Sequence, residues 1–202
     1  MIHKNVTNEY FDDKGHHFTT MPIEDTLKIK KVKDGFVAKY LIQDEFAESP
    51  DVWKNDDVFL VHYHRDFWVE RKDKIVEEEL ADLYRGEKIE QEKEYRIFPV
   101  SAFIHSGVSL SLGRRGFMGD PGGWDTSHVG ACLASRKDFP TDKRAEEACG
   151  SLIEEWNEYL SGDVYCLVKD KMDKDKNLVQ HDSVCGVYGY KNAKEDLEGF
   201  EG

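Results

Sequence analysis

The sequence has few basic residues for its length. Its 202 residues include 28 Lys and Arg against 41 Asp and Glu, a formal net charge of −13. Proteins that bind nucleic acid through its phosphates need clustered Lys and Arg, and so do proteins that dock on anionic lipid. The charge balance therefore predicts no direct nucleic-acid binding and no docking on a membrane.

A long apolar run is also missing. No window approaches the roughly 20 apolar residues that a membrane-spanning helix requires, and residues 1–18 lack the apolar segment of a signal peptide. We therefore expect a cytoplasmic protein.

Closely spaced cysteines are absent. The four cysteines are Cys132, Cys149, Cys166 and Cys185, and none forms the Cys-x-x-Cys pair of a zinc knuckle or a thioredoxin-type site. In a reducing cytosol this spacing predicts four free, mostly buried thiols. We expect no cofactor.

What the chain does have is enough apolar sequence for a core, with 39% hydrophobic and 12% aromatic residues. Alternating or β-branched segments predict strands, including a hairpin turning at Asp34-Gly35. These strands are expected at 26–33, 35–43, 58–64, 95–104, 107–112, 128–135, 163–168 and 182–190. Helical periodicity predicts amphipathic helices at 73–86 and 142–160, the second with Thr141 as N-cap.

Strands and helices do not alternate regularly, which favours the α+β class. We predict a single α+β domain over residues 1–202, a mostly antiparallel twisted sheet packed by two amphipathic helices. Residues 1–25 are expected to form a loose N-terminal arm or an edge strand, 169–177 an exposed hairpin loop, and 191–202 an acidic tail that can add one helical turn. The loop at 44–57 is the one weak candidate for a domain boundary.

The negative charge is concentrated in three segments. The net charge is −5 over residues 73–94, −5 over 142–163 and −4 over 195–202. One interpretation is that these acids form ordinary solvated helix faces. The other is a carboxylate surface that imitates a phosphate backbone and attracts a basic groove on another protein. The residues predicted for that surface are Glu77, Glu78, Glu146, Glu154, Glu155 and Glu158.

A glycine-rich segment at 105–127 contains six glycines and predicts a long loop at 113–126. The loop lacks the spacing of a P-loop and of a dinucleotide-binding turn. Arg114 and Arg115 can still contact an anion there, and we expect Trp124 to pack as a lid.

Histidines near this loop suggest an alternative function. A small hydrolase or nucleotide-processing enzyme can be built from His105, Asp125, His128 and Cys185 if these side chains converge. The competing interpretation is a polar network that closes the loop. His62, His64 and Asp66 share one face of a strand and are weak metal-ligand candidates, because adjacent same-face positions lie about 6.5–7 Å apart.

Several motifs in order resemble an uncharacterised family of proteins carried by phages and plasmids, over about residues 57–190. They are His105–Ser111, Pro121–Asp125, Val129-Gly130, Trp156–Tyr165 and Asp182–Gly189. The resemblance implies a small accessory protein of a mobile element and supplies no activity. With the charge pattern, it predicts a non-enzymatic protein whose partner is a host protein with a basic surface, such as a nucleic-acid-handling or defence complex. An anti-CRISPR or anti-restriction inhibitor is the sharpest form of this hypothesis.

Overall fold

The computed structural model describes residues 1–53, 57–63, 77–113, 117, 120 and 122–202, with Val52, Trp53 and Glu77 described by backbone alone. The chain forms two compact units: unit 1 is Met1–Glu48 with Gly162–Gly202, and unit 2 is Ser49–Ser161. The boundary between Glu48 of unit 1 and Ser49 of unit 2 falls inside segment 44–57, which the sequence analysis gives as a weak candidate for a domain boundary. The prediction of a single domain stays a prediction, because compactness does not decide whether two units unfold together.

The described residues contain eleven strands and three α-helices. The strands are β1 (Ile2–Lys4), β2 (Tyr10–Asp12), β3 (His17–Phe18), β4 (Lys28–Val32), β5 (Gly35–Gln43), β6 (Val58–His62), β7 (Tyr95–Ile104), β8 (Val108–Leu112), β9 (Thr126–Ser135), β10 (Val164–Met172) and β11 (Leu178–Tyr188). The helices are α1 (Glu77–Arg85), α2 (Asp142–Ser161) and α3 (Tyr190–Gly199). Every strand pair is antiparallel. The α+β class is confirmed, although the described residues contain three helices and three sheets rather than two helices on one sheet.

Unit 1 is built on a four-stranded sheet in the order β11-β10-β5-β4. The predicted hairpin is confirmed, because Val32 pairs with Gly35 across the Asp34-Gly35 turn. Gly35 has a φ of 153°, and a Cβ at this position would overlap the carbonyl oxygen of Met172. The turn therefore requires glycine both for its backbone angle and for its close contact with β10.

The two ends of the chain cover the faces of this sheet. Strands β1, β2 and β3 form a small sheet whose Phe18 is fully buried against Tyr40 and Val168. Helix α3 packs Ala193 and Leu197 against the opposite face. The N-terminal segment thus forms strands, the second of the two predicted alternatives, and the acidic tail contains a helix longer than the single turn predicted; both segments bury apolar side chains.

Strand β10 is longer than predicted. It continues to Met172, with Val168, Asp170 and Met172 buried on one face and the lysines between them partly exposed. The expected loop at 169–177 is thus reduced to a turn, closed by hydrogen bonds between Asp173 and Asn177. The sequence predicts a loop here because the lysines at alternate positions conceal the period-two pattern of a strand.

Unit 2 is built on a sheet in the order β6-β9-β7-β8. On one face Leu60, Cys132 and Trp156 pack together in the core below α2. On the other face Val61, Leu133 and Leu80 pack together below α1. Because residues alternate along β6 and β9, α1 and α2 lie on opposite faces of this sheet.

The predicted helices are found with small changes in their bounds. Thr141 Oγ1 accepts a hydrogen bond from the backbone amide of Arg144 at 3.3 Å, as an N-cap does. Helix α1 is described from Glu77 to Arg85, so the part predicted at 73–76 lies outside the described residues. Among the residues that are described, no helix is long and apolar enough to cross a membrane.

The cysteines are not four free thiols. Cys166 on β10 is joined by a disulfide to Cys185 on the neighbouring β11. Cys132 and Cys149 are free and buried in unit 2, where burial raises the pKa of the Cys132 thiol. Spacing in the sequence did not show that β10 and β11 bring two cysteines side by side.

Candidate functional site

The proposed enzymatic residues do not assemble into one site. His105 Nδ1 lies 3.3 Å from Asp125 Oδ2, but both side chains are well exposed. His128 instead has its Nδ1 3.1 Å from Ser101 Oγ and its ring stacked on Tyr84. Cys185 belongs to unit 1 and is bound in a disulfide, so it is not a nucleophilic thiol in this state.

Polar groups do close the start and end of the glycine-rich loop. Ser101 Oγ donates to the carbonyl oxygen of Gly113 at 3.1 Å. Asp120 accepts hydrogen bonds from the amides of Trp124 and Asp125 and from the hydroxyl of Thr126, at 2.8–2.9 Å. Trp124 itself is 91% exposed, so the expectation that it packs as a lid is wrong.

The Asp120 bonds predict an acid-sensitive loop. Desolvation opposes ionisation of Asp120, but the hydrogen bonds from Thr126, Trp124 and Asp125 outweigh it and lower the pKa of this carboxyl. A carboxyl with a lowered folded-state pKa stabilises the fold above its unfolded pKa of about 4, and this contribution is lost as the pH falls through the folded value. We expect the amide proton shift of Trp124 to titrate in that acid range in an NMR experiment. In Asp120→Asn the titration should vanish, and its persistence there would contradict the assignment.

Some predicted residues cannot be placed. Arg114, Arg115, His64 and Asp66 lie outside the described residues, as does the side chain of Glu77. His62 is described and is fully buried on β6. A metal site built on these histidines therefore stays a prediction.

The predicted acidic residues are divided between two faces of unit 2. Glu78 is exposed on α1, whereas Glu146, Glu154 and Glu155 are exposed on α2 and Glu158 is half-buried there. Because α1 and α2 pack on opposite faces of the sheet, the two helices do not form one continuous acidic surface. The larger group, on α2, includes Glu147 as well.

We call the outward side of α2 the α2 acidic face, defined by Glu146, Glu147, Glu154, Glu155 and Glu158. Residues 145–161 contain these five glutamates and no Lys or Arg. Glu147 lies 3.7 Å from Lys143, while Glu146, Glu154 and Glu155 have no cationic partner within 4 Å among the described residues. Among the described residues, the charges of Glu146, Glu154 and Glu155 are therefore not neutralised by an ion pair.

The position of Glu158 in the last turn of α2 is unfavourable for the helix. The carboxyl end of a helix carries a partial negative charge, which favours Lys, Arg or His in the last turn. The last turn of α2 has no basic residue, and Glu154 and Glu158 form a like-charged i,i+4 pair. Glu158 therefore gains no stability from the helix dipole.

The acids of the C-terminal segment are arranged differently. Glu198 lies 3.0 Å from Lys28, and Glu201 lies 3.6 Å from Lys39 and 3.4 Å from Lys169. These pairs lower the pKa values of Glu198 and Glu201, through hydrogen bonds to lysine first and charge attraction second. Glu198 and Glu201 are thus paired with lysines of unit 1, unlike Glu146, Glu154 and Glu155 of the α2 acidic face.

Sequence reasoning missed a buried polar network in unit 1. Asp170 is fully buried and accepts a hydrogen bond from Tyr40 Oη at 2.6 Å, and its other oxygen lies 2.7 Å from His181 Nδ1. Burial and the negative charge of Asp170 raise the pKa of Tyr40 well above its usual value. The signal in the sequence was the alternation Val168, Asp170, Met172, which places an acid in a row of core positions.

Comparisons with known proteins give no match. No protein-family model, no curated protein and no solved structure is similar to this chain. Function must therefore be argued from the residues of the chain itself.

Proposed function

We propose that this chain is a non-enzymatic accessory protein of a mobile genetic element, and that it binds a host protein with a basic surface through the α2 acidic face. The observation that carries the proposal is the placement of the exposed Glu154 and Glu155 near the carboxyl end of α2, whose last turn contains no basic residue. Charges that reduce helix stability are commonly retained because a function needs them.

The expected partner follows from the chemistry of this face. A row of carboxylates on one rigid element attracts Lys and Arg that are arranged to bind a phosphate backbone. Such a partner handles nucleic acid, as defence nucleases do, and an anti-CRISPR or anti-restriction inhibitor acts by occupying that groove. The attraction between exposed charges is screened by salt over about 10 Å at 0.1 M.

Charge reversal on α2 separates its role in binding from its role in the fold. In the variant Glu146→Lys, Glu154→Lys, Glu155→Lys, Glu158→Lys, we expect capture of the host partner from lysate at low salt to be lost. The free energy of unfolding should change by less than about 1 kcal/mol, because only position 158 lies in the last turn, where a basic residue is favoured, and positions 154 and 158 stay like-charged after the reversal. Denaturation followed by tryptophan fluorescence measures the second quantity, since Trp156 is buried on α2.

A control variant with the same change in net charge, made in unit 1, shows whether capture depends on the position of the reversed charges or only on the net charge of the chain. Glu45, Asp175, Glu195 and Asp196 are exposed in unit 1, and their joint reversal to Lys should leave capture intact. Equal capture by the α2 variant and the wild type, or wild-type capture that is insensitive to salt, would overturn the proposal.

A further inference from the structure

Unit 1 contains a cavity of about 920 Å³, which we call the disulfide pocket. One side is formed by the end of β5 and the segment after it, including Ile42, Asp44 and Phe46. The disulfide between Cys166 and Cys185 forms another part of its wall. The pocket is large enough for a small molecule, and neither the α2 acidic face nor its proposed partner involves any of these residues.

Three potential metal ligands meet in this pocket. Asp44 follows β5, Cys166 lies on β10 and Cys185 lies on β11, and these are neighbouring strands of one sheet. One carboxylate oxygen of Asp44 and the two Sγ atoms all lie within 4.8 Å of one another. A carboxylate and two sulfurs from three adjacent strands therefore converge on one point.

The carboxylate is already oriented toward this point. The amide of Gly186 donates to Asp44 Oδ2 at 3.1 Å, and the amide of Phe46 donates to Asp44 Oδ1 at 3.1 Å. Each carboxylate oxygen has a second lone pair, so these hydrogen bonds orient the carboxylate and leave a lone pair for a metal. Ligands that are held in place before binding lose little conformational entropy when a metal arrives.

The two sulfurs differ in access. Cys166 is 4% exposed, whereas Cys185 is exposed. A reductant can therefore attack the Cys185 sulfur from solvent and displace the Cys166 thiolate. The strands remain paired on both sides of the two cysteines, through Leu167 with Val184 and Tyr165 with Val187, so the sulfurs stay neighbours after reduction.

We propose that reduction of the disulfide converts this group into a Zn²⁺ site formed by Cys166, Cys185 and Asp44. A phosphine supplies the two electrons and becomes a phosphine oxide, and one water molecule supplies the oxide oxygen and the two thiol protons of the protein; a dithiol instead supplies both electrons and both protons and becomes a disulfide. Zn²⁺ then binds the two thiolates and the carboxylate, and the two thiol protons are released to solvent. Water or a molecule in the pocket completes the fourth tetrahedral position, as in zinc sites that keep one position open.

Zinc is the metal that this donor set fits best. Two thiolates favour a soft or borderline ion over Mg²⁺ and Ca²⁺, which take oxygen ligands. Zn²⁺ accepts mixed sulfur and carboxylate ligands without a geometric demand from its d electrons. In the oxidised chain the two sulfurs form a disulfide and carry no negative charge, so they do not bind Zn²⁺. Zinc binding therefore depends on reduction of the disulfide.

Cobalt provides a spectroscopic test on the full-length chain. After reduction with a phosphine under anaerobic conditions, Co²⁺ should give thiolate-to-metal charge-transfer absorption, and Zn²⁺ should remove it by displacement. The oxidised chain should show no such band. Absence of the band in the reduced chain, or an equal band in the oxidised chain, would overturn the proposal without the need for any variant.

Variants then identify the ligands. Cys166→Ser with Cys185→Ser keeps Cys132 and Cys149, so a band that survives in it comes from the buried pair and contradicts the assignment. Asp44→Asn should keep the thiolate band but raise the Kd for Co²⁺ at least tenfold, because outer-sphere losses alone cost about 10–100-fold. An unchanged Kd in Asp44→Asn would exclude the carboxylate as a ligand.

Discussion

Replacing Asp170 with alanine is expected to lower the free energy of unfolding of unit 1 by at least about 3 kcal/mol. Two hydrogen bonds to a carboxylate are lost at once, and each contributes about 1.5–3 kcal/mol when one partner is charged. The hydroxyl of Tyr40 is left buried without this acceptor, since Tyr40 is fully buried in the core of unit 1. Denaturant titration followed by circular dichroism measures the loss.

Two milder variants show how much of this destabilisation comes from the hydrogen bond between Tyr40 and Asp170. Tyr40→Phe removes one of the two bonds and should cost about 1.5–3 kcal/mol. Asp170→Asn keeps an oxygen that can accept from Tyr40, and we expect it to be less destabilising than Asp170→Ala. An Asp170→Ala chain as stable as the wild type would show that the network does not support the fold.

The Asp170→Ala variant also tests the prediction of a single domain. The tryptophans, at positions 53, 68, 124 and 156, all fall within unit 2. If the two units unfold together, the fluorescence transition of Asp170→Ala should shift with the transition in hydrogen exchange of β5 and β10. A shift in hydrogen exchange alone would contradict the single domain and establish two independent units.

Replacing Gly130 with alanine is expected to unfold or severely weaken unit 2. A Cβ at this position would overlap the carbonyl oxygen of Val61 and lie 2.7 Å from His62 Cβ. Both atoms belong to the paired strand β6, so neither can move without breaking the ladder between β6 and β9. Overpacking of a core costs about 1–3 kcal/mol where side chains can adjust, and here we expect at least the upper value.

The backbone around Gly130 leaves little room for adjustment. Tyr84 Oη accepts a hydrogen bond from the Gly130 amide at 3.0 Å and donates to the carbonyl oxygen of Val100 at 2.8 Å. These bonds tie α1 to β7 and β9 at this position, so a shift of Gly130 also breaks the contacts of Tyr84. Fluorescence-detected denaturation of unit 2 measures the effect.

Gly150 in the middle of α2 is the matched control. A Cβ there meets no atom within 4 Å, and alanine in a helix interior is more stable than glycine by about 0.5–1 kcal/mol. Gly150→Ala should therefore stabilise unit 2 slightly. If Gly130→Ala behaves like Gly150→Ala, the close approach of β6 and β9 is wrong.

Much of the fold could be predicted because its signals are local. The Asp34-Gly35 turn lies between two alternating segments, and the β4–β5 hairpin follows from those residues alone. Helix α2 has its N-cap at Thr141 and a glycine, Gly162, with a φ of 74° just after its end. Neither feature needs information from distant parts of the chain.

The features that were missed depend on partners far apart in sequence. Asp170 is stable in the core because Tyr40, 130 residues away, donates to it. Cys166 and Cys185 meet through the bulged register of β10 and β11, which spacing does not reveal. The charge of α1 and of α2 was predictable, but their separation onto opposite faces required the order of strands in the sheet.

We propose that the α2 acidic face occupies a groove of the host protein that otherwise binds nucleic acid. The most direct measurement is a competition, in which the captured host protein is titrated with duplex DNA while its binding to this chain is followed. We predict mutually exclusive binding, with DNA displacing the wild-type chain and with the affinities of the host protein for DNA and for the chain both falling as salt rises. A ternary complex of host protein, DNA and this chain would contradict the account.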